Sequence, residues 1–156
     1  MTRILFACLG NICRSPLMEG LARVRCAAMP GLEFDSAGVG DWHAGEPPDP
    51  RAIAVAARHG VDISRQRARA VRVLDYQAFD LILCADRAVL EALRRRAPVG
   101  ARAQLALFLD WSGHAAGAEV PDPYTGGERE FTAVYALVAA GAEAMAQRLR
   151  AAAGPP

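Results

Sequence analysis

The stretch that most constrains this chain is Cys8-Leu9-Gly10-Asn11-Ile12-Cys13-Arg14-Ser15-Pro16. The apolar run Ile4-Leu5-Phe6-Ala7 leads into it and a helical pattern leads out, so it reads as a strand, a tight loop and a helix start. Pro16 suits the first turn of a helix, where a missing N–H costs little. Gly10 lets the backbone turn without a Cβ clash. Asn11 tolerates a left-handed conformation, and its side chain can brace a tight loop. Backbone N–H groups from Leu9 to Cys13, at a helix start, favour an anion. Arg14 offers a planar fork that matches two oxygens of a tetrahedral oxyanion. Cys8 places a thiol at the base of that cradle. Only a thiolate attacks well, and helix N-termini and nearby cations lower a thiol's pKa. The Ser15 hydroxyl can stabilise the thiolate, or the sulfur as it leaves. Such a loop suits a dianion held above a nucleophilic sulfur, and hence phosphoryl transfer through a thiophosphate. The plainer reading, a structural loop with two buried cysteines, gives the Gly-Asn-x-x-Arg cradle nothing to do.

Composition sets the frame for this loop. At 156 residues the chain has the size of one domain, spanning 1–156, and 53% hydrophobic content is enough for a core. A net charge of +1 implies neither a nucleic-acid coat nor a polybasic membrane patch. Four cysteines without framework spacing suggest a reducing compartment. The apolar stretch at the start is too short for a signal peptide and no run approaches a membrane span, so the expectation is a cytoplasmic enzyme without membrane insertion.

The chain then alternates strands and helices. Arg3 to Ala7 reads as a buried strand. From Ser15 to about Met29 the apolar positions Leu17, Leu21, Val24 and Ala28 recur at helical spacing, with Glu19, Arg23 and Arg25 outside. Pro30-Gly31 stops that helix, and Leu32 to Ala37 forms a short strand. A turn-rich loop follows from Gly38 to Pro48, and Asp49-Pro50 opens a helix to about His59. Asp62 to Ala70 is polar and basic. Phe79 to Ala85 is a buried strand, Asp86 caps a helix to about Arg96, and Ala103 to Leu109 is a fourth strand. Asp110 to Gly127 has few periodic signals. The last helix carries Phe131, Val134, Tyr135, Val138, Ala142, Met145 and Leu149 on one face. This pattern predicts an α/β single domain, a four-stranded parallel sheet with helices on both faces. The Cys8 loop follows the first strand, at the strand ends where such sheets place their sites.

A thiolate attacking a phosphoester needs an acid for the leaving oxygen, and the same group can later activate water. The long loop before the last helix contains Val120-Pro121-Asp122-Pro123-Tyr124. Its prolines stiffen the chain around Asp122 and hold the carboxyl at little entropic cost. Alone, Asp122 would read as a common Asp-Pro turn; beside the Cys8 loop it reads as the acid. Trp42 and Tyr124 are the aromatic candidates for a slot above the phosphate. His43, His59 and His114 lack metal-ligand spacing, and this chemistry calls for no metal and no cofactor. Cys26 and Cys84 read as structural.

The Cys-x5-Arg-Ser spacing marks cysteine-dependent phosphatases. The full string from Cys8 to Pro16, within the first twenty residues, resembles the low-molecular-weight protein tyrosine phosphatase family, and the resemblance extends from Ile4 to about Leu149. It implies Cys8 as nucleophile, Arg14 as oxyanion clamp and Asp122, in Asp-Pro-Tyr, as general acid. It implies Leu9, Gly10, Asn11, Ile12, Cys13 and Ser15 around the phosphate, and Trp42, after Ser36-Ala37-Gly38, as an aromatic wall with Tyr124. Asn11 and Ser36 are expected to share hydrogen bonds. Gln66 stands where some relatives carry a bracing His, among Arg65, Arg67 and Arg69. For Cys13 the resemblance implies a reversible disulfide with Cys8; packing under the loop is the other reading. The implied partner is a phosphotyrosine protein substrate, a bacterial tyrosine kinase by analogy.

Rival chemistries stay close in fold. A thiol-linked arsenate reductase would need a relay of further cysteines, and Cys84 has no partner cysteine shortly after it. A protein arginine phosphatase carries Thr where this chain has Ile12, and Ile12 suits an aryl ring better. A phosphate-binding module without turnover would have no use for Cys8 or Asp122. Walker-type nucleotide hydrolysis lacks its Gly-Lys-Ser/Thr element.

Overall fold

The computed structural model describes residues 1–154. Strand β1 (Thr2–Cys8) lies inside a four-stranded sheet in the order β2-β1-β3-β4, with β2 Leu32–Gly38, β3 Leu81–Cys84 and β4 Gln104–Leu107. All neighbouring pairs are parallel. A strand buried on both faces needs apolar residues at every position, and β1 supplies them from Ile4 to Ala7. Ile4 and Phe6 face a core built with Leu17, Met18 and Leu21 of α1 (Arg14–Arg25) and with Phe131, Val138 and Met145 of α6 (Glu128–Ala153). Leu5 and Ala7 face a second core with Tyr76 of α3 (Asp75–Ala78) and Val89, Leu90 and Leu93 of α4 (Arg87–Arg96). Two shorter helices complete the order, α2 (Pro50–Ala57) and α5 (Phe108–Ser112). No helix among the described residues is long and apolar enough to cross a membrane.

The alternation predicts this architecture, with local corrections. Helix α1 ends at Arg25, short of Met29, and Val24 is 47% exposed. Its buried face is Leu17, Met18, Leu21 and Ala22, with Cys26 just beyond the end. Glu19, expected outside, is buried. The fourth strand stops at Leu107, and Phe108 turns into α5, its ring edge-on to Phe6 at 5.9 Å. The four-residue α3 was too short to show a helical period.

Caps fix the helix entries that matter to the site. The Asp49 carboxylate accepts from Arg51 N at 2.9 Å ahead of Pro50. The Asp86 carboxylate accepts from Val89 N at 2.9 Å ahead of α4.

Candidate active site

The loop between β1 and α1 is held from outside by its carbonyls. Cys8 O accepts from Val39 N at 3.0 Å, Leu9 O from Gly40 N at 3.1 Å, and Ile12 O from Asp49 N at 2.8 Å. Among the described residues, the N–H groups of Gly10 to Cys13 find no acceptor in the protein. A run of unpaired amides at a helix start is an anion cradle.

Asn11 sets the proton directions inside this cradle. Its φ is +58°, the left-handed conformation that an Asn tolerates. Its Oδ1 accepts from Arg69 N at 3.0 Å, which makes its nitrogen the donor to Ser15 Oγ at 2.8 Å and Ser36 Oγ at 3.0 Å. Each hydroxyl, having accepted from Asn11, must send its own proton elsewhere. Ser36 donates to Glu19 Oε1 at 2.7 Å. Ser15 is left to donate to Cys8 Sγ, 3.0 Å away. The expected Asn11–Ser36 bond is present, and Glu19 is its anchor. Gln66, in the place of a bracing His, donates instead to Pro16 O at 3.0 Å. Of the three arginines around it, Arg69 is no solvated charge: it pairs with Asp35 at 3.0 Å and Asp75 at 2.9 Å.

Arg14 is buried, and one of its terminal nitrogens is already committed. Nη1 donates to Asp86 Oδ2 at 2.7 Å and to Val120 O at 3.0 Å. Nη2 lies 3.7 Å from Asp122 Oδ2. Burial opposes the charge, yet Cys8, Asp86 and Asp122 around it hold the guanidinium pKa above its usual value. Asp86 therefore both caps α4 and orients Arg14 at the rim of the site, a second role beyond the cap that its sequence position predicts.

Asp122 sits in the loop 120–127 between α5 and α6. Val120, fully buried, donates its N–H to Ala85 O at 2.8 Å and anchors the loop's entry. Asp122 Oδ1 accepts from Tyr124 N at 3.0 Å, so the turn itself aims Oδ2 at Arg14. Cys8, Leu9, Gly10, Ile12, Cys13, Arg14, Trp42, Asp122 and Tyr124 line one cleft. Asn11 and Ser15 stand behind it as the wiring. Trp42 is 66% exposed, and its indole packs on Gly40, with ring carbons 2.1 to 2.5 Å from where a Cβ on Gly40 would stand. His43 also lines the cleft, its Nδ1 2.6 Å from Glu46 Oε2; its only sequence signal was its place next to Trp42.

Cys8 and Cys13 are free thiols. Burial, and then the nearby negative charges led by Asp49, push the Cys13 thiol far up. Cys84 lies within β3, raised to about 12 mainly by burial, which makes it a poor relay cysteine. Among the described residues no three His, Cys, Asp or Glu side chains gather as a metal site.

A thiol, a guanidinium and a carboxyl around an amide cradle define a cysteine-dependent phosphoryl-transfer site. The comparisons agree. The family model described as low molecular weight phosphotyrosine protein phosphatase matches residues 3–153. A low molecular weight protein-tyrosine-phosphatase of Streptomyces coelicolor is 39% identical over 154 residues, 95% of this chain and 93% of that protein. The structure of Vibrio vulnificus Wzb in complex with benzylphosphonate superposes with a TM-score of 0.83 at 32% identity, over 94% of this chain and 98% of that one. That of a Drosophila arginine phosphatase superposes at 0.88 with 26% identity, over 96% and 98%. The chain belongs to the low molecular weight phosphotyrosine protein phosphatase family.

Proposed function

We propose that the chain, as a single catalytic domain, hydrolyses phosphotyrosine in proteins, and small aryl phosphates, through a cysteinyl-phosphate. The observation that carries this reading is the buried Arg14, with Asp122 Oδ2 3.7 Å from Nη2 and Cys8 lining the same cleft. The phosphate dianion docks on the amides of the 9–14 loop and on the free edge of Arg14. Cys8 Sγ attacks phosphorus in line, forming S–P as the P–O bond to the tyrosine breaks. Asp122 gives its proton to that leaving oxygen. Water then attacks the phosphorus, Asp122 takes its proton, and the S–P bond breaks to release phosphate. The departing thiolate is received by the Ser15 hydroxyl, 3.0 Å away. Fixed donors around the equatorial oxygens are the largest contribution to rate in such a site. Trp42 and Tyr124 flank the ring, and Ile12 presents an apolar branch where a hydroxyl would favour a phosphoramidate.

The substrate partner is a tyrosine-phosphorylated protein, with a bacterial tyrosine kinase as the candidate the resemblance suggests. Phosphate release from matched phosphotyrosine, phosphoserine and phosphoarginine peptides, in reducing buffer with chelator, tests the reading. Release from phosphotyrosine alone, abolished by Cys8→Ser, is expected. Preference for phosphoarginine would overturn the Ile12 argument, and release surviving Cys8→Ser would remove the cysteinyl-phosphate.

A further inference from the structure

The acid loop is anchored at its entry by Val120, and its exit is tied to α2 by the side chain of Arg51. Nη1 donates to Gly126 O at 2.9 Å and Nη2 to Tyr124 O at 3.0 Å. The same guanidinium grips both carboxylate oxygens of Asp49, Nε on Oδ1 at 3.0 Å and Nη2 on Oδ2 at 2.9 Å. Its plane is further fixed by ring faces, with its central carbon 4.4 Å from the Phe131 centroid and 5.7 Å from that of Tyr124. Asp49 is buried and its N–H is bonded to Ile12 O at 2.8 Å, inside the phosphate loop. Ile12, Asp49, Arg51 and the Tyr124 and Gly126 carbonyls thus form one unbroken path. It joins the loop that holds phosphate to the loop that carries the acid, through residues that lie 75 positions apart between Arg51 and Gly126.

We propose that Arg51 is a positioning residue that sets the height of Asp122 over the phosphate loop, with Asp49 as its fixed base. The inference rests on the reading of Asp122 as general acid. A bidentate carboxylate grip leaves the guanidinium no rotational freedom, so its two outward N–H groups define where the 124–126 backbone lies. Pro123 transmits that position to Asp122 with little slack. Without Arg51 the loop keeps its Val120 anchor and its Asx turn, and Asp122 can still form, but its carboxyl is no longer registered against Cys8. The phosphate loop keeps its own bonds to Val39 and Gly40, and those of Asn11 to Ser15, Ser36 and Arg69.

The two consequences separate in leaving-group dependence. We would measure kcat and KM for 4-nitrophenyl phosphate and phenyl phosphate, together with the inhibition constant of inorganic phosphate. The proteins are wild type, Arg51→Ala, Arg51→Lys and Asp122→Asn, each checked for its melting temperature. Misplacing the acid should cost the poor leaving group a sizeable part of the 10²–10⁴-fold that general acids supply, so Arg51→Ala should lower kcat/KM for phenyl phosphate at least about tenfold. The 4-nitrophenyl ester, which needs little protonation, should fall about threefold or less, and the phosphate inhibition constant should stay within about twofold. Arg51→Lys, which can reach one carbonyl but not grip Asp49 with a fork, should fall between. Equal losses for both esters, or a parallel loss of phosphate affinity, in both Arg51 variants would make Arg51 merely structural and overturn the inference, as would no loss at all. Discrimination in Asp122→Asn without it in Arg51→Ala would overturn the inference alone. Its absence in Asp122→Asn would bring down the acid assignment and this inference with it.

Discussion

Asn11 accepts a backbone cost for a set of bonds. A left-handed conformation costs an ordinary residue roughly 1–2 kcal/mol, and Asn11 holds φ at +58°. In return it satisfies Arg69 N and directs the protons of Ser15 and Ser36. Asn11→Ala keeps the strain but strands a partly buried N–H, so it should destabilise the protein by about 1–3 kcal/mol. Calorimetry should show the melting temperature fall by roughly 2–12 °C, with turnover falling too because Ser15 can turn away from Cys8; an unchanged melting temperature would refute the cost. Glu19, at the far end of the same chain of bonds, behaves differently. Burial raises its carboxyl above the ordinary 4.5, and its bonds to Ser36 and Arg23 do not fully offset this. The folded protein therefore holds a proton that the unfolded chain has released, and stability drains away as pH rises from 4.5 through the raised value. Glu19→Gln keeps an acceptor for Ser36 and removes the ionisation. Its melting temperature relative to wild type should climb as pH is raised above 4.5; a gap that shrinks over that range would reverse the assignment.

At the scale of elements, the end of β2 is the floor of the phosphate loop. A Cβ on Gly38 would stand 2.9 Å from Leu9 O and 3.0 Å from both Gly10 C and Gly40 O, all backbone atoms. Gly38 cannot step aside, because its N–H is bonded to Arg69 O at 2.7 Å and its carbonyl to Val71 N at 2.8 Å. Gly38→Ala should therefore move the loop instead, weakening inorganic phosphate at least about tenfold, or 1.4 kcal/mol. Overpacking should also cost about 1–3 kcal/mol of stability, and full phosphate affinity in this variant would show that the loop can yield. What the sequence made legible at this scale was local. The Cys8 loop, the sheet and its two helical layers follow from residues close in the chain, and the prolines around Asp122 marked a stiff turn. What it hid depends on distant pairs. Glu19 sits one helical turn after Ser15 and looked like an outward charge, because the hydroxyl that draws it inward, Ser36, belongs to β2. Asp86 reads as a cap, and only the fold brings Arg14 to its other oxygen. Arg51 looked like any first-turn arginine until α6 and the acid loop packed above it.

For the molecule as a whole, the site is where separate parts of the fold meet. The phosphate loop links β1 to α1, hangs on the segment after β2 through Val39 and Gly40, on the cap of α2 through Asp49, and on the acid loop through Arg14 and Val120. Its strand is interior to the sheet, with one core on each face. A bound oxyanion therefore touches no detachable flap. It adds its free energy to the same contacts that must break when the chain unfolds. Ligand present at a hundred times its dissociation constant stabilises the native state by about 2.7 kcal/mol. For a chain of this size each kcal/mol moves the midpoint by roughly 2–4 °C, so saturating inorganic phosphate should raise it by about 5–11 °C in a single transition. Cys8→Ser keeps the amides and Arg14 and should show a comparable rise. Arg14→Ala strands Asp86 and removes the clamp, so it should melt lower and respond to phosphate little or not at all. Two resolved transitions, with only one moved by phosphate, would mean that the loop melts apart from the sheet. A rise in Arg14→Ala equal to that of wild type would mean that phosphate stabilises the protein somewhere other than this cleft.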